Sequence, residues 1–449
     1  MYTRICLNLI LIFGLGLAMC AVAHGQVAPT AQGGPGDVDD QMMMTPPPVS
    51  TVPFGNTTLP DVRIDYLSAG ILVTPAYIDN VLPSPNQKPV GDTTVSIVPT
   101  VSMNRTTPRQ TDIFSYSPSF TFYEPTSSLN TIDQSAAATF QYRINSQASV
   151  IISDNFLRTS NIFNDSYPFS NPVTGSILAP TATVIAPFAE QMINTTGGEL
   201  SYQIGRDAMV GGGASYSKFD LPNPQQAAGL YNSDTTSALA FYSRRIERAQ
   251  YLGLFYQYSR NLTYPTNMTS EVQTHAILPF YTFYFNRVFS VSVAAGAQSV
   301  GISGNASPAS NSWFPAVTAS LGWQGTRGYL ATSFFRYVTG GNGLFGALNS
   351  SILSGSGGWD LTQVWKASAS ISYSTISEVA TITNPTFTGG DALSGQVLVG
   401  RAFSERFNIN FGYQHLHQNY AGIAAVVADP NSNREFGSVS YTFSKPMGR

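Results

Sequence analysis

Cysteine and charge are both scarce in this sequence. Its only two cysteines, Cys6 and Cys20, lie within the first 25 of 449 residues. Removal of that segment on export would leave a chain without disulfides or thiolate chemistry. Charged residues make up 10% of the chain and the net charge is −3, so the broad basic field that nucleic-acid binding needs is missing. Mean hydropathy is near zero, which argues against a helical membrane bundle.

The first 25 residues have the pattern of a secretory signal peptide. Arg4 supplies the positive start, residues 5–19 are almost entirely apolar, and small residues follow. This pattern predicts cleavage after Ala23 or Gly25. The alternatives are a retained anchor, for which the apolar stretch is short, and a lipid-modified Cys20, for which the preceding residue is a poor match.

Residues 26–90 are rich in proline and glycine and carry no sustained period. Such composition favours extended, solvated backbone that buries no core. We therefore expect a disordered periplasmic linker here, preceding a structured region at 93–449. A tether in which residues 27–90 engage a periplasmic partner is the functional alternative.

Aromatic and small polar residues are abundant, and from about residue 93 apolar and polar residues alternate with period two. The clearest stretch runs from Leu361 to Tyr373, where one face is largely apolar and the other carries Lys366 among serines and threonines. Trp365 and Tyr373 on the apolar face are separated by roughly 20 Å along the axis of a tilted strand, which is near the height of a lipid band. The pattern predicts strands that face lipid on one side and water on the other.

The predicted connections alternate between short and long. Short turns are expected at residues 145–146, 205–207, 244–248, 286–287, 325–328, 374–375 and 404–405. Longer loops are expected at 158–191, 219–231, 260–271, 301–312, 339–359, 382–391 and 419–432. Short turns at one end and long loops at the other are typical of outer-membrane barrels. We predict an all-β fold, a transmembrane antiparallel up-and-down β-barrel of about 16 strands (range 14–18); a soluble β-sandwich or propeller is the alternative.

The last predicted strand, residues 433–443, places Val439, Tyr441 and Phe443 on one face. It resembles the C-terminal β-signal of uncharacterised, porin-like bacterial outer-membrane barrels, although six further residues follow Phe443. The resemblance implies recognition by the barrel-assembly machinery and a location in the outer membrane. A terminal strand in lipid must pair with the first strand, because an open edge leaves backbone groups without hydrogen bonds.

Candidate functional residues are charges on the predicted lumen face. They are Arg143, Glu199, Arg336 and Lys366. Charges that line a pore set its ion selectivity; the alternative is that they neutralise one another or lie at wet rims. His415 and His417 are spaced to share a metal on a strand, but interfacial histidines are ordinary. The glycine-rich stretches lack the lysine and context of a phosphate loop, so we expect no metal site, cofactor or enzymatic activity.

A barrel of this width leaves an aqueous channel unless loops fill it. We therefore expect a porin-like channel in the outer-membrane lipids for passive diffusion of small hydrophilic solutes, with segment 158–191 as an inward-folding constriction loop. The alternatives are a non-channel component that assists export or assembly of a surface polymer such as an exopolysaccharide, and a plugged structural or adhesion barrel. A homo-oligomer is possible by analogy with porins, without an interface signal in the sequence.

Overall fold

The fold is known from a computed structural model of the chain. The structure describes residues 65–81, 89–160, 163, 190–223, 229–265, 268–286, 288–304, 310–340, 343–379, 389–421 and 431–447. The predicted signal peptide, most of the predicted linker and most of segment 158–191 lie outside these residues. No helix in the described part of the chain is long and apolar enough to cross a membrane.

Eighteen strands make one sheet. In chain order they are β1 Tyr66–Ile78, β2 Asp92–Thr106, β3 Gln110–Glu124, β4 Thr131–Arg143, β5 Ala148–Thr159, β6 Gln191–Ile204, β7 Ala208–Asp220, β8 Ser233–Glu247, β9 Gln250–Thr263, β10 Ser270–Tyr284, β11 Phe289–Gly304, β12 Ser310–Gln324, β13 Gly328–Gly340, β14 Ala347–Asp360, β15 Trp365–Glu378, β16 Gly389–Ala402, β17 Phe407–Ala421 and β18 Asn431–Pro446. A single turn of 3₁₀ helix, η1 at Ser127–Leu129, precedes β4.

Every strand pairs antiparallel with its neighbours in sequence, and β18 pairs with β1. The predicted all-β, closed, up-and-down antiparallel barrel is therefore confirmed. Closure occurs through pairs such as Ile71 with Tyr441 and Val73 with Val439. Because the ring has no first or last edge, nearly all of its backbone can be hydrogen-bonded within the wall.

The barrel has 18 strands rather than about 16, the upper end of the predicted range, because the first two strands, β1 and β2, were not counted. Three local patterns were also misread. Residues 66–78, assigned to the linker, form β1. Residues 347–360, assigned to the loop 339–359, form β14 despite their glycine and serine content. The turn expected at residues 374–375 lies inside β15, and the true turn before that strand is 361–364. In each case neighbouring strands supply the hydrogen bonds and override a weak local preference.

The two ends of the barrel differ, as the sequence predicts. Eight connections are short and lie at the same end as the chain ends of β1 and β18; the shortest is residues 248–249, between β8 and β9. The opposite end carries the longer connections, including residues 160–190 between β5 and β6 and residues 379–388 between β15 and β16. We refer to these as the short-turn end and the long-loop end.

The outer face of the wall exposes large apolar side chains on nearly every strand. Examples are Ile71, Ile152, Leu254, Ile277 and Val397, each about half exposed. Near the short-turn end Trp323 and Trp359 stack, with ring centroids 5.9 Å apart. Apolar outward residues bordered by aromatic rings are what a lipid-facing barrel surface requires.

The final strand presents its predicted signal residues to the outside. Val439, Tyr441 and Phe443 are 41%, 47% and 49% exposed and alternate with inward residues such as the buried Ser438 and Thr442. The structure thus gives these residues the lipid-facing orientation that the alternation predicts. Their recognition by the assembly machinery stays a prediction.

Candidate functional site

Hydroxyl groups cover much of the inner face of the barrel. Because side chains alternate along a strand, the serines and threonines of neighbouring strands meet across the wall and hydrogen-bond in pairs. The pairs are Ser68–Ser444 at 2.9 Å, Ser96–Thr121 at 2.9 Å, Ser149–Ser201 at 2.8 Å, Thr195–Ser217 at 2.8 Å, Thr282–Ser292 at 2.7 Å and Ser333–Ser354 at 2.6 Å. The lumen wall is therefore hydrophilic but mostly neutral.

One sector of the inner face is apolar. The inward residues of β7 to β13 form a buried cluster of Met209, Leu239, Phe241, Phe255, Ala276, Leu278, Phe280, Ala294, Ala316, Phe335 and Tyr337. Sequence alternation does not reveal this sector, because the outward residues between them, such as Leu254 and Ile277, are apolar as well. Met209 and Leu278 are fully buried, so other groups cover this part of the wall from the inside.

The cover begins where β12 and β13 separate. Their pairing runs from Gln324 and Tyr329 at the short-turn end only as far as Val317 and Arg336. Beyond that point residues 310–316 of β12 have no partner in β13, whereas β13 stays paired with β14 up to Gly340 and Ala347. The upper part of the β13–β14 hairpin has thus separated from β12 and is joined to the wall on the β14 side, where the pairing with β15 continues to Leu348 and Glu378.

This part of the hairpin lies inside the barrel, against the inner face of neighbouring strands. Val338 and Ala347 pack in a buried cluster with Val272, Val300 and Ile302, which point inward from β10 and β11. A side chain at Gly340 would overlap Asn261 on the inner face of β9. We call residues 337–340 and 343–348 the tucked hairpin.

A glutamine side chain holds the tucked hairpin. Gln298, on the inner face of β11, donates from Nε2 to the carbonyl oxygen of Val338 at 2.7 Å. Its Oε1 accepts the backbone N–H of the same residue at 2.9 Å. Both groups are buried, so two backbone polar atoms that lost their strand partner are hydrogen-bonded by one amide.

The tip of the hairpin crosses the lumen at the long-loop end. The Gly343 N–H donates to Ser233 Oγ at 3.3 Å, and its carbonyl accepts the Tyr231 N–H at 2.8 Å. Leu344 joins a buried cluster with Phe219, Leu221, Leu230, Leu348, Ile376, Ala392 and Tyr420. These residues come from both β7 and β15–β17, so the cluster bridges opposite sides of the wall.

A second group of residues narrows the other side of the same end. Phe163, which follows β5, is buried with Ile78 and Leu416. The Arg434 guanidinium lies 5.8 Å from the Phe163 ring and 5.2 Å from the Phe436 ring, and donates to Gln414 Oε1 at 3.1 Å. Phe163 belongs to segment 158–191, the predicted constriction loop, and it points into the lumen as such a loop requires. Residues 161–162 and 164–189 of this segment lie outside the described part of the chain.

The four predicted lumen charges do not form a ring. Arg143 at the end of β4, Glu199 in β6 and Lys366 at the start of β15 are on the inner face by strand alternation. Lys366 Nζ lies 3.9 Å from Asp360 Oδ1, and both side chains are about half exposed. Glu199 lies between Ile151 and Gly213 of the adjoining strands. Their effect on selectivity stays a prediction.

Arg336 was assigned to the lumen, and that was wrong. Arg336 is exposed and shares the outer face of β13 with the lipid-facing Leu330. Its two neighbours in the strand, Phe335 and Tyr337, point inward and are buried. The residues around Arg336 mix polar and apolar types on both faces, so a one-residue error in the pattern reversed the assignment.

The two histidines of β17 lie outside the lumen. His415 and His417 share the outer face with Phe411 and Tyr413, and their Nδ1 atoms hydrogen-bond Asn433 Oδ1 at 2.8 Å and Asn431 Oδ1 at 2.9 Å. Among the described residues no group of three or more metal-ligating side chains comes together. The histidines are thus held by cross-strand amides.

Solved structures with a similar chain path include outer-membrane proteins. OccK2 (OpdF) of Pseudomonas aeruginosa is 11% identical with a TM-score of 0.42, covering 85% of this chain and 98% of that one. OpdL of the same species is 9% identical with a TM-score of 0.40 and coverages of 84% and 99%. The FrpB iron transporter of Neisseria meningitidis is 10% identical with a TM-score of 0.39 and coverages of 79% and 62%. No protein-family model matches the chain, and no curated protein matches its sequence.

Proposed function

We propose that this protein is an outer-membrane channel for passive diffusion of small, uncharged hydrophilic solutes. The observation that carries the proposal is the inner face: paired hydroxyls such as Ser96–Thr121 and Ser333–Ser354 line a barrel whose outer face is apolar. Hydroxyls exchange hydrogen bonds with water and with polar solutes at little cost. Few inward charges are available to favour ions of one sign.

An outer-membrane location is part of this proposal. It is supported by the closed antiparallel ring, the difference between short-turn and long-loop ends, and the predicted export signal at residues 1–25. Eighteen strands enclose a lumen wide enough for water unless inserted groups fill it. The tucked hairpin and Phe163 restrict the long-loop end, which favours passage of small solutes over polymers.

Swelling of vesicles containing the purified protein tests the proposal. Small neutral sugars should enter and swell the vesicles at a rate that falls with solute size. Vesicles with the protein and a large dextran outside serve as the control for osmotic artefacts. Absence of swelling with every small sugar would contradict a channel and favour the plugged structural barrel.

A further inference from the structure

The β12–β13 ladder stops just before a proline, Pro315, and does not resume beyond it. Gly325 N donates to Gly328 O at 2.8 Å, which fixes the hydrogen-bonding alternation of this pair of strands. Odd-numbered residues of β12 direct their backbone groups to β13, and even-numbered residues of β13 direct theirs to β12. Continued beyond Val317 and Arg336, the next hydrogen-bonded pair would be Pro315 with Val338.

Pro315 cannot make that pair, because it has no N–H to donate to the Val338 carbonyl. A buried carbonyl without a donor is unfavourable, so continuation of the wall at this point is penalised. Inside the barrel the same carbonyl receives the Gln298 Nε2–H, and the Val338 N–H finds Gln298 Oε1. Pro315 and Gln298 therefore act in the same direction, one by weakening the wall position and the other by stabilising the tucked position.

We propose that the tucked hairpin is the constriction that sets the size limit of the channel, and that Gln298 and Pro315 are the residues that position it. This proposal rests on the proposed channel function. The geometry gives the hairpin this role because its tip, Leu344, lies in one buried cluster with residues of β7 and of β15–β17, which are on opposite sides of the lumen. Interruptions in other ladders, such as those at Pro75 and Pro279, are followed by renewed pairing. Residues 337–340, in contrast, have strand pairing on the β14 side alone.

The wall position is available to the hairpin once the proline is replaced. Residues 310–316 of β12 keep their pairing with β11 through Ile302 and Ser310, so they form a ready edge for residues 337–340. A Pro315→Ala variant restores the missing donor, and Gln298→Leu removes both hydrogen bonds to Val338 while keeping a similar side-chain volume. The double variant should transfer the hairpin from the lumen to the wall.

The first measurement is single-channel conductance of the double variant Gln298→Leu/Pro315→Ala with an added cysteine pair, Gly340→Cys and Asn261→Cys. These two positions are in direct contact in the tucked state, so a disulfide needs only a small outward adjustment. Oxidised protein should conduct like wild type, and reduction should raise conductance several-fold and admit larger sugars. Gln141→Leu, an inward glutamine of β4 away from the hairpin, is the matched control and should conduct like wild type.

The second measurement follows the hairpin without relying on conduction. Thr339→Cys introduces a thiol where the hydroxyl is buried in the tucked hairpin and would face the lumen in the wall position, in a chain that has no other cysteine after residue 20. A membrane-impermeant maleimide should label it slowly in the wild-type background and much faster in the double variant. Heat-dependent gel migration establishes that each variant is folded.

The outcomes separate the two proposals. Faster labelling with unchanged conductance would overturn the hairpin as the constriction, and unchanged labelling would overturn the roles of Gln298 and Pro315. Failure of every form to conduct, including the reduced double variant, would refute the channel function itself. Faster labelling together with reversible, reduction-dependent conductance would establish the proposal.

Discussion

Glu199 and Arg336 lie on opposite sides of the barrel wall. Glu199 shares the inner face of β6 with Ser201 and Gln203, whereas Arg336 shares the outer face of β13 with Leu330. Two charges that looked equivalent in the sequence therefore act in different surroundings. Only the first can influence an ion inside the lumen.

Neutralising Glu199 should change the ion selectivity of the channel, and neutralising Arg336 should not. Loss of a negative charge from the lumen lowers the attraction for cations, so Glu199→Gln should shift the reversal potential in a salt gradient toward anion preference. In water, the interaction energy of two unit charges about 4 Å apart is about 1 kcal/mol, so the permeability ratio should change several-fold at most. Arg336→Gln is the matched control, and an equal shift from both variants would contradict the two-face assignment.

The outer and inner faces of β15 should respond differently to charge. Ile371 is 57% exposed on the lipid side, and Ser370 next to it points inward. Ile371→Lys should lower the free energy of unfolding from vesicles by about 2–4 kcal/mol, because a cation in the lipid band is poorly solvated. Ser370→Lys should leave it almost unchanged. Urea titration monitored by tryptophan fluorescence measures both; similar losses would mean that the faces are reversed.

Removal of an aromatic ring from the final strand should impair assembly. We expect Phe443→Ala to reduce the fraction of protein in the outer membrane that shows heat-dependent gel migration, since Phe443 faces outward in the strand that closes the barrel. Ser440→Ala, an inward change on the same strand, is the control. Normal assembly of Phe443→Ala would show that the predicted signal does not depend on this ring.

The start of β1 predicts how much of the N-terminal region the barrel needs. A deletion of residues 27–60 should still give a closed barrel, because β1 begins at Tyr66. A deletion of residues 66–78 should not, because β1 lies between β18 and β2 in the ring. Gel migration of the two deletions decides this, and equal migration would contradict the role of β1 in closure. Lost surface-polymer export in the first deletion, with unchanged solute uptake, would support the alternative of a periplasmic partner.

The alternation of apolar and polar residues is sufficient to predict the barrel wall, but it does not predict where the pairing of β12 with β13 stops. Residues such as Ile371 and Tyr373 report their face directly, because lipid and water impose opposite preferences on neighbouring positions. The strand Ala347–Asp360 was not predicted, because its glycines and serines are equally compatible with a loop and with a strand that packs between two neighbours.

The position of the tucked hairpin could not be predicted from local sequence patterns either. Pro315 is visible in the sequence, but its meaning depends on the register that places it opposite Val338. Gln298 is 40 residues from Val338 in the chain, and no period links the two. A proline within a strand can indicate an unpaired edge, but Pro75, Pro99 and Pro279 lie in strands that pair on both sides, so this signal alone does not identify β12.

Planar-bilayer recording of the wild-type protein is the most direct test of the account. We predict stepwise conductance of small size and weak ion selectivity, as expected for a hydroxyl-lined lumen that the tucked hairpin narrows. A silent bilayer, with protein that is folded by gel migration, would contradict the channel.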